Sequence, residues 1–364
     1  MKTWKRLVSG LLGLALAASL TGTALAAETA KTTEETSKTA AAETAKPAGP
    51  FSQWFPRFGV NPEDPTASEA VLAKMGTAIQ QTKTVGGETL TLNGAVWDGG
   101  LVQLSLTAKS PSLPKVVDNY TWLNSDGCTA RMPEEQWKAY VENKVERETA
   151  GEKLSKEEQD QRLQSLMERA QMQLDPNLSV VSREGNTVRL AATMILDDYL
   201  EKPELTLRIE NVEITGQAME QPGTRSGEYV LKGPFEFTFT LDNMLPSMNY
   251  QGDVKMTFDK IPVRITTTSV SPKQITVGYT LDTNDPAVER KLSAYVKGIW
   301  TKDGKYVDCA SSFGIRGMLF SGDGEPITGD WDRSFPYPID PAAVTAVDIS
   351  GARVELSQLN LVTA

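Results

Sequence analysis

Leu90–Thr107 reads LTLNGAVWDGGLVQLSLT, and a second stretch of the chain follows the same pattern. Moved by 173 positions, it lies without a gap on Val263–Thr280, VRITTTSVSPKQITVGYT. Six aligned pairs are apolar in both copies: Leu90/Val263, Leu92/Ile265, Trp97/Val270, Val102/Ile275, Leu104/Val277 and Leu106/Tyr279. Most fall at a spacing of two, on either side of a short polar turn. That is the pattern of two half-buried strands joined by a turn. Asp98-Gly99-Gly100 supplies the turn in the first copy and Ser271-Pro272-Lys273 in the second. Two such units predict two related β domains.

Working outward, 364 residues are enough for two domains with substantial cores. The formal net charge is −10. Lys2, Lys5 and Arg6 lie in an N-terminal leader, which leaves 34 of the 37 basic residues against 47 acidic ones. Such an acidic chain is poorly matched to nucleic acid or to an anionic membrane surface. Histidine does not occur. That excludes Ser-His-Asp and Cys-His triads and nearly every catalytic zinc site. Carboxylate chemistry stays open.

Residues 1–26 read as a secretory signal. Three basic residues precede the apolar run Leu7–Leu20, and Ala24-Leu25-Ala26 forms a small-x-small cleavage site. Cleavage would leave no membrane span; an uncleaved leader would act as an anchor. Residues 27–50 are a linker of Ala, Thr, Glu and Lys with no large apolar residue. Four aromatics then arrive together in Phe51-Ser-Gln-Trp-Phe-Pro-Arg-Phe58. Phe51, Trp54, Phe55 and Phe58 are either a partner surface or an arm packed on the domain that follows. Residues 51–84 also contain a helix. Thr66 and Glu69 form a capping-box pattern after Pro65, and Val71, Leu72, Met75 and Ile79 make one apolar stripe.

The first β domain is expected over 85–249, with strands near Thr187–Ile195, Leu205–Ile214 and Phe235–Leu241. A helical insertion interrupts it at 133–175. Trp137, Tyr140, Val141 and Val145 form one stripe, and Ser155 with Glu158 caps a second helix carrying Leu163, Leu166, Met167, Ala170 and Leu174. The hairpin is either a lid on the sheet or a partner-binding arm. The second β domain is expected over 250–364, with strands near Val254–Phe258, Val263–Val270, Ile275–Leu281, Tyr306–Cys309, Ile315–Phe320, Val344–Ile349 and Arg353–Leu356. Many short strands between Gly/Pro turns make the expected fold class mainly β, two immunoglobulin-like β-sandwich domains, the first with an N-terminal helix and an inserted helical hairpin.

These features resemble the ectodomains of membrane-bound, anti-sigma-factor-like proteins of Gram-positive bacteria. In that family an Asp-Gly strand pair opens the first domain, as at Leu90–Thr107, and an aromatic-rich strand follows, as at Gly233–Leu241. The second domain holds a strand, a Ser-Pro turn and a strand, as at Thr266–Tyr279, and ends like Phe335–Leu356. The resemblance implies a first domain of unknown function, an immunoglobulin-like second domain, and an extracytoplasmic sensing or binding role without catalytic residues. Family members carry a cytoplasmic helical segment and a membrane span before the ectodomain, whereas this chain opens with a signal-like leader.

Chemistry is sparse. Asp323, Glu325, Asp330 and Asp332 in the expected loop Ser321–Asp332 are either a calcium set, since calcium takes carboxylate and carbonyl oxygens, or an acidic surface loop, and their spacing departs from the EF-hand. Otherwise no cofactor is expected. Cys128 and Cys309 lie in different halves. A disulfide between them would tie the domains together; the alternative is two separate buried thiols. The expected function is an exported, non-enzymatic binding or sensing protein at the cell envelope, with an unidentified envelope or extracellular ligand. A secreted glycan hydrolase working through two carboxylates is the rival, and a regulator ectodomain held by an uncleaved leader is a third reading.

Overall fold

The computed structural model describes residues 50–109, 121–124, 127–149, 155–169, 173–184, 187–197, 200–217, 225–309 and 326–362. The expected leader, nearly all of the linker and the expected strand Ile315–Phe320 lie outside the described residues. The protein is mainly β, as expected. Among the described residues no helix is long and apolar enough to cross a membrane.

Three segments precede the first sheet strand: α1 (Pro50–Trp54), a 3-10 turn (Pro56–Phe58) and α2 (Pro65–Met75). One sheet of the first sandwich contains β1 (Gly76–Val85), β2 (Glu88–Trp97) and β3 (Leu101–Lys109). The chain continues through β4 (Thr121–Asn124), β5 (Cys128–Arg131), α3 (Glu134–Thr149), α4 (Lys156–Arg169), β6 (Gln173–Leu174), β7 (Asn177–Glu184), β8 (Thr187–Ile195), β9 (Glu204–Gln217) and β10 (Arg225–Thr240). The order β1-β2-β3-β8-β7 forms one layer and β10-β9-β5-β6 the other, with β4 also on β9. Their core interleaves Leu90, Leu92, Leu104 and Leu190 with Leu205, Leu207, Phe235 and Phe237. Trp137, Tyr140, Val141 and Val145 of α3 are buried in that same core, which makes this helix a lid. Ser155 and Glu158 cap α4 reciprocally: the Ser155 N–H donates to Glu158 Oε2 at 2.9 Å, and the Glu158 N–H to Ser155 Oγ at 3.3 Å.

The second sandwich uses β11 (Met248–Phe258), β12 (Ile261–Val270), β13 (Gln274–Leu281), β14 (Val296–Thr301), β15 (Tyr306–Asp308), β16 (Ile327–Ser334), β17 (Val344–Ile349), β18 (Ala352–Glu355) and β19 (Asn360–Val362). The layers are β16-β13-β12-β11-β19 and β15-β14-β17-β18.

The repeat is longer than the quoted stretch. β1-β2-β3 and β11-β12-β13 are the same antiparallel meander, pair for pair, at the offset of 173. Leu92 faces Leu106 as Ile265 faces Tyr279, and Trp97 faces Val102 as Val270 faces Ile275. Bulges recur after Ala78 and Gln251, and again after Leu92 and Ile265. The first hairpin turn has positive φ at Gly86 and Gly87, and the second at Asp259 and Lys260. That fits the two-residue turn whose twist matches paired strands. In the next turn Asp98 Oδ1 accepts from the Leu101 N–H at 2.8 Å, and Ser271 Oγ accepts from the Gln274 N–H at 3.1 Å. All twelve side chains of the six aligned apolar pairs are buried. Each such burial is worth about 2 kcal/mol.

Two expectations about the N-terminal region need correction. The helix stops at Met75, and Ile79 belongs to β1, so the first sandwich begins at Gly76 rather than Val85. Its N-cap is Asp64, whose Oδ1 accepts from the Ala67 N–H at 2.9 Å, in place of Thr66. Glu69 turns away from its own helix. It accepts from the N–H groups of Phe51 at 3.1 Å and Ser52 at 3.0 Å, and so satisfies the start of α1.

The arm lies in a furrow. Ala78, Gly94, Ser105, Ala191 and Ser179 form one row of small residues across all five strands of the first sheet. A Cβ on Gly94 would sit 3.1 Å from the Trp54 ring. Phe55 and Phe58 are buried against Leu72, Met75 and Val96. Arg57 donates to Ser179 Oγ at 3.2 Å and Val180 O at 2.9 Å, and Arg189 to Gln53 O at 3.1 Å. The segment then reaches the second sandwich, where Lys273 Nζ donates to Phe58 O and to Phe335 O, both at 2.6 Å. Lys74 Nζ meets Asp340 Oδ2 at 2.6 Å.

Candidate functional site

The structure disperses the residues singled out from the sequence. Asp330 and Asp332 stand on strand β16, paired with Gly278 and Thr276 of β13, where a loop was expected. Asp332 Oδ1 accepts from Thr276 Oγ1 at 2.5 Å. Burial raises the Asp330 pKa, and the neighbouring Asp332 charge adds to the effect. Asp323 and Glu325 lie outside the described residues, so the calcium set is seen only in half. Among the described residues no three metal-ligating side chains of the His, Cys, Asp and Glu types converge.

Cys128 and Cys309 are free thiols. Cys128 is buried in the first core, and Cys309 packs on the second. Burial pushes both thiols up to about 12, which leaves them protonated and poorly nucleophilic near neutrality. The structure holds them as two separate thiols, without the cross-link between halves. Phe51, Trp54, Phe55 and Phe58 face the furrow and α2, with Phe51 edge-on to Trp54 at 5.5 Å and Phe55 edge-on to Phe58 at 6.1 Å. Phe55 and Phe58 are buried, whereas Phe51 and Trp54 are half-buried.

What remains is a groove on the second sandwich beside edge strand β19. It is an open depression of about 500 Å³. Val344, Leu356 and Leu359 lie buried at its base, Leu361 forms its apolar edge, and Tyr250, Thr345, Glu355 and Ser357 supply polar atoms. Leu361 is 49% exposed. An apolar concavity with a few polar groups is the usual form of a small-molecule site.

Beside Glu355, the sheet β15-β14-β17-β18 pairs charges with rings. The Arg353 guanidinium stands 4.9 Å from the centre of the Trp300 ring, and its Nε meets Glu355 Oε1 at 2.6 Å. Tyr306 donates its hydroxyl proton to Asp348 Oδ2 at 3.0 Å. Burial, with that carboxylate adding, raises the Tyr306 pKa.

On the strand beside Tyr250 lies a buried hydroxyl that is outside the groove lining. Thr268 is the ladder partner of Tyr250 and Val277. It is 2% exposed, and its hydroxyl has no hydrogen-bond partner. Buried polar atoms are nearly always paired. The first sandwich has no counterpart: at the offset of 173, Thr77 stands for Tyr250 and Ala95 for Thr268. Thr77 Oγ1 accepts from the Asp242 N–H at 3.0 Å, and Ala95 is a plain core residue. Sequence reasoning missed Tyr250, Glu355 and Ser357. The difference between the aligned copies was the signal that pointed to Tyr250.

No family model matches the chain, and no curated protein matches it. Among solved structures it is similar to the conserved domain protein from Bacillus anthracis, at 11% identity over 76% of this chain and 77% of that one, with a TM-score of 0.40.

Proposed function

We propose that this chain is an exported, non-enzymatic binding or sensing protein of the cell envelope, and that the groove on its second sandwich takes the ligand. The observation that carries the reading is the departure of the second copy from the first. Both copies spend the same positions on their cores; the groove lies in the second, where Tyr250, which lines it, replaces Thr77. The signal-like residues 1–26 and the resemblance to extracytoplasmic ectodomains support the location and the immunoglobulin-like character of the second domain.

Passing an envelope extract over the immobilised protein tests the reading. A component should be retained by the wild-type chain, lost on the Leu361→Lys variant, and recovered chemically unchanged. Equal retention by both proteins would count against the groove. A recovered component that had been cleaved would favour the carboxylate-dependent hydrolase.

A further inference from the structure

We infer that the N-terminal arm is a removable brace. Seated, it fixes the angle between the two sandwiches; lifted, it leaves them hinged at residues 242–247.

Among the described residues, little else joins the sandwiches. Each has its own two sheets, with no strand common to both. Their apolar cores are separate clusters, one from Leu90 to Leu241 and the other from Phe258 to Leu359. Two domains without a large apolar interface move relative to each other by default. The connection between them, Asp242 to Ser247, carries neither helix nor strand.

The arm spans that connection. Phe55, Phe58, Leu72 and Met75 form their own cluster, and Leu245 of the connection packs against it. The residues just after α2 hold the connection too. Asn243 Nδ2 donates to Gly76 O at 2.7 Å, and the Asp242 N–H to Thr77 Oγ1 at 3.0 Å. On the far side, Lys273 Nζ donates to Phe58 O and Lys74 Nζ meets Asp340 Oδ2, each at 2.6 Å. Gly59 passes so close to the second sandwich that a Cβ on it would overlap Pro336 O, and its φ of 75° also favours glycine.

The brace can lift without dismantling a sheet. α1 and the 3-10 turn precede β1 and pair with no strand. Besides the aromatic packing, side chains hold them: Arg57 on Ser179 and Val180, Arg189 on Gln53 O, and Glu69 on the N–H groups of Phe51 and Ser52. A segment held this way is a unit that opens at a lower free energy than global unfolding.

Amide residual dipolar couplings of the full chain test the brace, fitted for β2, β3 and β8 of the first sandwich and for β12, β13 and β17 of the second. In the wild type one alignment tensor should satisfy both sets. Lys74→Ala combined with Lys273→Met removes both polar links to the second sandwich and leaves the arm's seat on the first intact. The two sets should then need different tensors, the weaker falling to about half the magnitude of the other, as expected for hinged domains. Gly59→Ala wedges the arm away from Pro336 and should give the same split by an independent route. Couplings that still fit within each sandwich show that both remain folded in these variants. A wild type that already needs two tensors, or folded variants that keep a single one, would overturn the brace.

Discussion

Lys273 Nζ donates to the main-chain oxygen of Phe58 at 2.6 Å, joining the N-terminal arm to the second sandwich. Its counterpart in the first copy, at the offset of 173, is Gly100, so this bridge is particular to the second turn. The same ammonium reaches Phe335 O. Burial lowers the Lys273 pKa from 10.5 to about 8. The unfolded chain therefore holds more protons than the folded one between about pH 8 and 10.5. The resulting contribution to stability is complete above 10.5 and is lost as the pH falls through about 8. Urea unfolding of the wild type and Lys273→Met across pH 7–11 should show the difference moving toward the wild type through that window. A pH-independent difference would contradict a buried amine at this position.

The arm is part of the fold. Phe55 is 3% exposed among Phe58, Leu72, Met75 and Val96. Phe55→Ala should cost about 3–5 kcal/mol in denaturant unfolding, the range for emptying a buried aromatic site. A loss below about 0.5 kcal/mol, typical of an exposed position, would return the arm to the surface.

The turn after β11 carries a left-handed lysine where the first copy has glycine. Lys260 has φ 66°, and Gly87 has φ 89°. A side chain there costs about 1–2 kcal/mol, partly offset because glycine loses more backbone freedom on folding. Lys260→Gly should therefore stabilise by about 0.5 kcal/mol, and Gly87→Lys should destabilise by a similar or larger amount. Thermal unfolding of both variants checks the sign, which should be opposite in the two turns.

Cys128, buried, and Cys309, half-buried, should both behave as free thiols. Intact mass should be unchanged by reductant, and thiol reagents should label the native protein slowly and the unfolded protein twice. A melting temperature that drops on reduction would indicate a bond between Cys128 and Cys309.

Local pattern made much of the architecture readable. β8 and β17 fall at their expected bounds, since each is a β-rich run closed by turn residues. The six aligned apolar pairs marked the strand pair in each half, and the register followed them because one face of each strand had to be buried. Ile79 misled because it lies four residues after Met75 and so continues the helical stripe, although Gly76 ends the helix. Glu69 misled because its partners, Phe51 and Ser52, are set by how α1 docks rather than by spacing within α2. β16 was hidden by its acidic outer face, Asp330 and Asp332, whose alternation with buried Trp331 is the strand signal. The groove was the least legible feature. It depends on where β19 ends its cover of β11.

The central claim is that binding belongs to the groove on the second sandwich. Backbone amide chemical-shift mapping during titration with the neutral apolar fluorophore N-phenyl-1-naphthylamine addresses it most directly. The account predicts shifts clustered at Tyr250, Thr345 and Glu355–Leu361, with Thr77, Ala95 and the arm residues Phe51–Phe58 unmoved. Shifts centred on the first sandwich or the arm, or scattered evenly over both sandwiches, would contradict it.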